Sequence, residues 1–307
     1  MKLTKTQLAV LALITANTIW GIGPPIYKLA LQNIGTFTFA FIRFALATIM
    51  IFPFVKGKLK VEKGDMAEVF LAGFFGIVVN ISFFLLGLKL APSINSSIIT
   101  CAAPIFLILG SFLFLGEKLK KRLIIGTFVG LFGILLIIFE PIFSSQPNLD
   151  FIGNLFFFIS MMGALAHTII GRELVKKYDP LGITFWTFLI SSLCFLPMAV
   201  NENLTHNYLS TMNIPVLIAI FWGAIFSSTI AYFLLFWALK YMPAASTGVF
   251  IYLDPIATIL VAYPLLGEKP DAFYLIGSLF VFLGIYIAER RIHYHPIHLL
   301  RKGAVES

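Results

Sequence analysis

The residues of this chain that could do chemistry are polar side chains embedded in long apolar runs, where each is costly unless it meets a partner or water. Thr247, Ile251, Asp254 and Thr258 recur at intervals of four, three and four, which aligns an acid with two hydroxyls along one stripe of a helix. Pro255 follows the acid and removes a backbone donor, so a carbonyl of the preceding turn is freed beside it. Asp254 is then a proton or cation site, a counter-charge for an amine substrate, or a neutral brace of the interrupted helix. His167 lies in another apolar run and carries the side chain that titrates nearest neutral pH. It is either a second candidate for a proton step or a hydrogen-bonded structural residue, so Asp254 and His167 are the candidate coupling residues.

Further polar stripes share the spacing of a helix face. Asn17, Trp20 or Gly21, and Pro24 form one, and Pro24-Pro25 is expected to bend or break its helix. Gly73, Gly76 and Asn80 form a second, and Asn95, Ser96 and Thr100 a third. Ser160, Ala164, His167 and Gly171 form a fourth, and Ser227, Ser228, Thr229 and Tyr232 a fifth. Any one Ser, Thr or Asn could simply bond a neighbouring helix or its own backbone. Six runs that each present such a stripe point to a shared cavity. The expected lining is Asn17, Trp20, Gly76, Asn80, Asn95, Ser96, Thr100, His167, Ser227, Tyr232, Thr247 and Asp254.

Arg43 stands inside an apolar run, and a permanent guanidinium charge there demands a partner. On depth, Glu140 and Lys28 reach a similar level near the outer face, so an ion-pair cluster of Arg43, Glu140 and Lys28 is expected, as a structural clamp rather than a gate. Catalysis is not indicated. No GxSxG, HExxH, Walker loop or paired-carboxylate motif occurs, and no cofactor or metal is expected. Cys101 and Cys194 fall inside apolar runs as structural thiols, and His293, His295 and His298 are spaced too loosely for a metal site.

The elements that must position these residues follow from composition. Of 307 residues 59% are hydrophobic and 12% charged, too little polar surface to cover a water-exposed globule. The 33 Phe are expected to face mostly lipid, so their number says little about an aromatic substrate. A bilayer core about 30 Å thick is crossed by roughly 20 apolar helical residues. Ten runs approach that length: Gln7–Leu31, Thr36–Val55, Met66–Leu90, Ser93–Leu115, Arg122–Phe143, Phe151–Lys177, Leu181–Val200, Ile214–Leu239, Ala244–Leu266 and Ala272–Arg291. They are continuously apolar rather than alternating, so an all-α integral membrane fold is expected and an outer-membrane barrel excluded. The first run lacks a small-residue cleavage site and reads as a retained span rather than a signal.

Charge sets the expected orientation. With both termini cytoplasmic, every Lys and Arg except Lys28, Lys89, Lys269 and Arg43 falls on the cytoplasmic side, as positive loops should. The net charge of +8 is therefore a topology signal for a multi-pass protein of the cell membrane, and nucleic acid is not an expected partner. The partners expected are the lipid bilayer and a small-molecule substrate, with protons as candidate coupling ions; monomer and homodimer both stay open.

An internal repeat organises the runs. A shift of 151 residues lays Leu88, Lys89 and Pro92 on Leu239, Lys240 and Pro243, and Pro104 and Ile105 on Pro255 and Ile256. The same shift lays Gly116, Glu117 and Lys118 on Gly267, Glu268 and Lys269, and Gly126 and Gly133 on Gly277 and Gly284. Each half holds five runs, an odd number, so the second half must enter the membrane from the opposite side. Inverted repeats of this kind are the usual architecture of secondary transporters, with the substrate near mid-membrane between the halves.

The Gly-Glu-Lys junction with Pro104 or Pro255 upstream, the Gly126/Gly133 and Gly277/Gly284 spacing, the Trp20-Gly21 pair and Arg43 together resemble the EamA domain of the drug/metabolite transporter superfamily. The resemblance covers nearly the whole chain as two tandem copies, residues 1–145 and 146–291, followed by a basic cytoplasmic tail at 292–307. One departure is Thr187, which stands where the second copy would carry the counterpart of Arg43. The resemblance implies two inverted five-helix repeats and a transporter that exports small metabolites, amino acids among them, by alternating access and without ATP hydrolysis. The other classes weighed are an uncoupled facilitator or channel-like pore, and an integral-membrane enzyme.

Overall fold

A computed structural model describes residues 4–106, 121–143, 148–210, 212–242 and 247–289, and among these every regular element is helical. The chain runs through α1 (Lys5–Ala30), α2 (Thr36–Phe54), α3 (Met66–Leu90), α4 (Ser93–Phe106) and α5 (Lys121–Phe143). It continues through α6 (Asn148–Lys177), α7 (Pro180–His206), α8 (Ile214–Tyr241), α9 (Asp254–Leu266) and α10 (Ala272–Glu289). Six of these, α1, α2, α3, α6, α7 and α8, are long and apolar enough to cross a membrane. The described apolar stretches of the other four are shorter, at Ser93–Phe106, Ile124–Glu140, Phe250–Leu266 and Ala272–Ile287. In α4 and α9 a proline also interrupts the regular helix. A turn at 101–102 precedes Pro104, and a 3₁₀ segment, Gly248–Leu253, precedes Pro255. The Gly116-Glu117-Lys118 junction, the far end of the fourth run, the start of the ninth and the tail at 292–307 lie outside the described residues.

Local chemistry marks the helix ends. Thr4 and Gln7 form a reciprocal capping box on α1, Asp179 caps α7 ahead of Pro180, and Asn213 caps α8 ahead of Pro215. At the end of α9, Gly267 has φ +69°, a conformation that favours a residue without Cβ; it stops the helix and turns the chain into Glu268. Large apolar side chains, among them Phe128, Leu193, Leu260 and Leu279, cover the outer surface. Not all Phe face outward: Phe39, Phe44, Phe157, Phe188, Phe195 and Phe236 are buried.

Helix pairing repeats itself across the two halves. The main contacts join α5 with α10, α2 with α7, α3 with α6, α1 with α8, α1 with α9 and α4 with α6. Replacing each helix by the one five places along the chain returns the same set. Glycines set the closest crossing. A Cβ on Gly284 would lie 2.6 Å from the Gly126 carbonyl oxygen, and one on Gly133 would lie 2.5 Å from that of Gly277. Early residues of α5 therefore meet late residues of α10, and each glycine meets the repeat counterpart of the other glycine on its own helix, as in an antiparallel pair. The helices α3 and α8 also share a distortion. Each contains a π-helical stretch, Phe74–Val79 and Trp222–Ile230, and the 151-residue shift carries positions 74–79 onto 225–230.

Candidate functional site

A cavity of about 170 Å³ lies among α1, α3, α4, α6, α8 and α9, with Arg43 reaching it from α2. Ten of the residues expected from their stripes line it: Asn17, Trp20, Asn80, Ser96, Thr100, His167, Ser227, Tyr232, Thr247 and Asp254. Two are placed elsewhere. A Cβ on Gly76 would fall 2.1 Å from His167 Nδ1, so this glycine is a contact point between α3 and α6 rather than a wall of the cavity. The Asn95 amide donates to Asn154 Oδ1 on α6 at 3.0 Å, which turns it into the helix interface. Tyr27, Ser97, Ser160 and Thr168 also line the cavity. Tyr27 was legible in principle, because Trp20, Pro24 and Tyr27 continue one face of α1.

Repeat-related positions line the cavity in pairs. Ile81 and Tyr232, Phe84 and Leu235, Ser96 and Thr247, Thr100 and Ile251, and Ala103 and Asp254 each differ by 151 and each face it. Ser96 and Thr247 both carry a hydroxyl and Phe84 and Leu235 are both apolar, but the other pairs differ in chemistry, and the wall is asymmetric in charge. The acid has only Ala103 as its counterpart.

Prolines open the backbone around Asp254, and other helices satisfy what they open. Despite the expectation of a bend or break at Pro24-Pro25, α1 is an unbroken helix. Pro25 supplies no N–H to the Gly21 carbonyl, and Thr258 Oγ1 on α9 lies 2.7 Å from that oxygen instead. Pro255 likewise removes the α-helical donor of the Ile251 carbonyl, which accepts instead from Asp254 N–H in the 3₁₀ turn, and Cys101 Sγ approaches the same oxygen at 3.7 Å. The two helices cross without room to spare, since a Cβ on Gly21 would lie 2.7 Å from the Asp254 carbonyl oxygen. Asp254 is 8% exposed and lines the cavity, and its Oδ1 has no hydrogen-bond partner.

Carbonyls in or just ahead of the π-helical stretches accept side-chain hydrogen bonds, and each half meets them with a different donor. Arg43 Nε donates to the Gly223 carbonyl at 3.2 Å and to Ser228 Oγ at 2.8 Å, while Nη2 donates to Ser227 Oγ at 3.1 Å. At the repeat-related position, the Ala72 carbonyl lies 2.9 Å from His167 Nδ1. A carbonyl can only accept, so Nδ1 carries the proton and Nε2, buried and without a partner, is left as an acceptor. Trp20 Nε1 donates to the Ser227 carbonyl at 3.0 Å, and Asn80 Nδ2 donates to that of Gly76, also at 3.0 Å. Ser160 Oγ then donates to Asn80 Oδ1 at 2.7 Å. Tyr232 is packed edge-on against Trp20 and His167, which makes one aromatic wall from three helices.

The expected cluster of Arg43, Glu140 and Lys28 divides among different partners. Arg43 is held by α8 as described, and Lys28 pairs with Glu268 at 2.9 Å while donating to the Ala91 carbonyl at 2.8 Å. Glu140 is half-buried on α5. Depth along a helix gives the level of a side chain but not its direction, and direction is what chose these partners. Glu268 also accepts from Ser93 N, Ser93 Oγ and Ile94 N, so the carboxylate caps α4. Burial pushes the Glu268 carboxyl up, but the Ser93 bonds and the Lys28 charge outweigh it and hold the group below its ordinary range. Three cavity-lining helices, α1, α4 and α9, are thereby tied together at one end of the molecule. At the other end Tyr178 Oη and Lys177 Nζ donate to Asp65, and these bonds keep the Asp65 carboxyl low.

The comparisons agree with this architecture. The model of the EamA-like transporter family matches residues 7–139 and again residues 151–289. An uncharacterized transporter of Archaeoglobus fulgidus is 25% identical over 278 residues, covering 90% of this chain and 95% of its own. The Bacillus subtilis uncharacterized transporter YetK is also 25% identical, over 93% of this chain and 88% of its own. An S-adenosylmethionine uptake transporter of Rickettsia bellii is 24% identical over 80% of this chain and 81% of its own. A protein crystal structure with 18% identity superposes with a TM-score of 0.63 over 94% of this chain and 99% of that chain, a likeness of fold alone.

Proposed function

We propose, from the premise that this chain belongs to the EamA-like transporter family, that it is a secondary transporter moving a small metabolite by alternating access through the cavity between its two halves. The observation that carries this reading is the set of repeat-related pairs lining one cavity. A two-fold axis through a substrate site lets the halves exchange roles, opening the site first to one side and then to the other. The antiparallel glycine crossing of α5 and α10 and the matched helix pairings support two inverted five-helix repeats, 1–145 and 146–291. A secondary carrier runs in the direction its gradients dictate. Export, implied by the resemblance, and the uptake named for the Rickettsia relative are thus two directions of one mechanism.

The reading is tested by counterflow in proteoliposomes with a solute panel that includes amino acids and S-adenosylmethionine. Saturable flux, accelerated by the same solute on the opposite side, is the expected result. Single-channel currents would instead mark a pore, and chemical conversion of a solute would mark an enzyme.

Orientation provides a second test. The Lys and Arg distribution puts both termini and the loop around Lys58 in the cytoplasm of a multi-pass cell-membrane protein, and the end of α7 outside. Thr205 is the better reporter there, because it is exposed while its neighbour Asn203 donates to Thr38 Oγ1. In right-side-out vesicles lacking native cysteines, an impermeant thiol reagent should label Thr205→Cys and spare Lys58→Cys. The opposite pattern would overturn the orientation.

A further inference from the structure

We infer that the cavity is a two-pole site for a zwitterion, in which Arg43 binds the solute's carboxylate and Asp254 its ammonium group. This rests on the carrier reading above and concerns which solutes the same cavity selects. Arg43 is 2% exposed, and its hydrogen bonds all go to neutral acceptors, the Gly223 carbonyl and the Ser227 and Ser228 hydroxyls. The rings of Tyr27 and Phe44 lie 5.2 and 4.9 Å from the guanidinium carbon. These contacts orient the cation without neutralising it, and no salt bridge to Arg43 occurs among the described residues. None of its three hydrogen bonds runs from Nη1, which leaves a guanidinium nitrogen to meet a carboxylate, the anion whose fork this side chain matches.

The opposite pole is an acceptor. Asp254 Oδ1 is buried, unpartnered and on the wall of the same cavity, and His167 Nε2 is a second buried acceptor there. Both ask for a donor, and an ammonium group supplies three. A lone organic anion would compensate Arg43 and leave Asp254 bare, and a lone cation would do the reverse. A zwitterion completes both without adding net charge to a desolvated site. Trp20, Tyr232 and Phe84 provide apolar wall for the solute's side chain.

The purified full-length protein is tested by ligand-dependent shifts of its melting temperature, converted to affinities. The probes are the twenty standard α-amino acids, each with its amide, which lacks the carboxylate, and its N-acetyl derivative, which lacks the ammonium. At least one amino acid should bind about tenfold or more tighter than both of its derivatives, the factor expected when one charged hydrogen-bonding partner is removed. Arg43→Gln should bring the preference over the amide to about twofold or less and keep the preference over the N-acetyl compound; Asp254→Asn should do the converse. Should Arg43→Gln fail to fold, Arg43→Lys, which keeps the charge and loses the fork, should weaken the carboxylate preference. The proposal is overturned if no amino acid outbinds both derivatives, or if the preferences survive these substitutions. The carrier reading is scored separately. Counterflow of a solute without the two-pole preference keeps the carrier and ends the zwitterion site, whereas the preference without counterflow keeps the site and ends the carrier.

Discussion

In proteoliposomes, Asp254→Asn is expected to transport at the same rate with and without an imposed pH gradient, whereas the wild-type protein is accelerated by it. The carboxyl lies in the cavity where α9 changes from 3₁₀ to α geometry, and one of its oxygens has no partner. Its repeat counterpart is Ala103, so no second acid stands ready to replace it at the related position. A desolvated carboxyl is stable either protonated or beside a cation, and alternation between those two states is what couples a proton to a solute. The amide keeps the shape and an acceptor oxygen but cannot titrate. The gradient-driven component of flux should therefore vanish while downhill exchange persists. If Asp254 only braces the turn ahead of Pro255, the Asn variant will keep its response to the gradient and Asp254→Ala will mainly lower thermal stability. Gradient-driven transport unchanged in Asp254→Asn would remove this residue from the coupling mechanism, and a wild-type protein indifferent to pH would make the carrier a facilitator.

The second large effect is expected from Thr100→Trp, which should reduce flux to the level of empty liposomes while the protein remains inserted and folded. Thr100 is half-buried, lines the cavity from α4 and is paired across the repeat with Ile251, so an indole there fills the space between the halves. Thr100→Ser, which removes only a methyl group, should retain transport. Gly76→Trp provides the contrast. It too projects from a polar stripe, but its side chain would be driven into His167, so the expected result is overpacking that costs about 1–3 kcal/mol or prevents folding. Normal transport by Thr100→Trp would place the route outside this cavity.

Much of the site was readable because helical periodicity converts spacing into a face. Asp254, Thr247 and Thr258 share a stripe in the sequence and share a wall in the structure. The same reasoning misplaced Gly76 and Asn95, since a helix inside a bundle has more than one buried face and the period does not say which neighbour each face meets. Arg43 shows the limit most clearly. Its type and depth demanded a partner, but the acceptors it found belong to Gly223, Ser227 and Ser228, about 180 residues away along the chain. All three lie in the stretch where α8 widens into π-helical geometry, which spacing alone does not reveal.

The transporter kinship rests on the family's motifs; by itself, then, the sequence determined a helical membrane protein built on an internal repeat. That follows from physics which needs no neighbours: apolar length against bilayer thickness, proline against the helical ladder, and a repeat offset constant enough to align Gly267-Glu268 with Gly116-Glu117. The tertiary structure decided which way each polar side chain points and what it meets. It sent Lys28 to Glu268, bound Arg43 to α8, closed Gly76 against His167 and left Asp254 Oδ1 open to the cavity. These outcomes depend on how helices rotate about their axes when glycines let backbones touch, and rotation is set by the sum of many small packing contacts between distant segments.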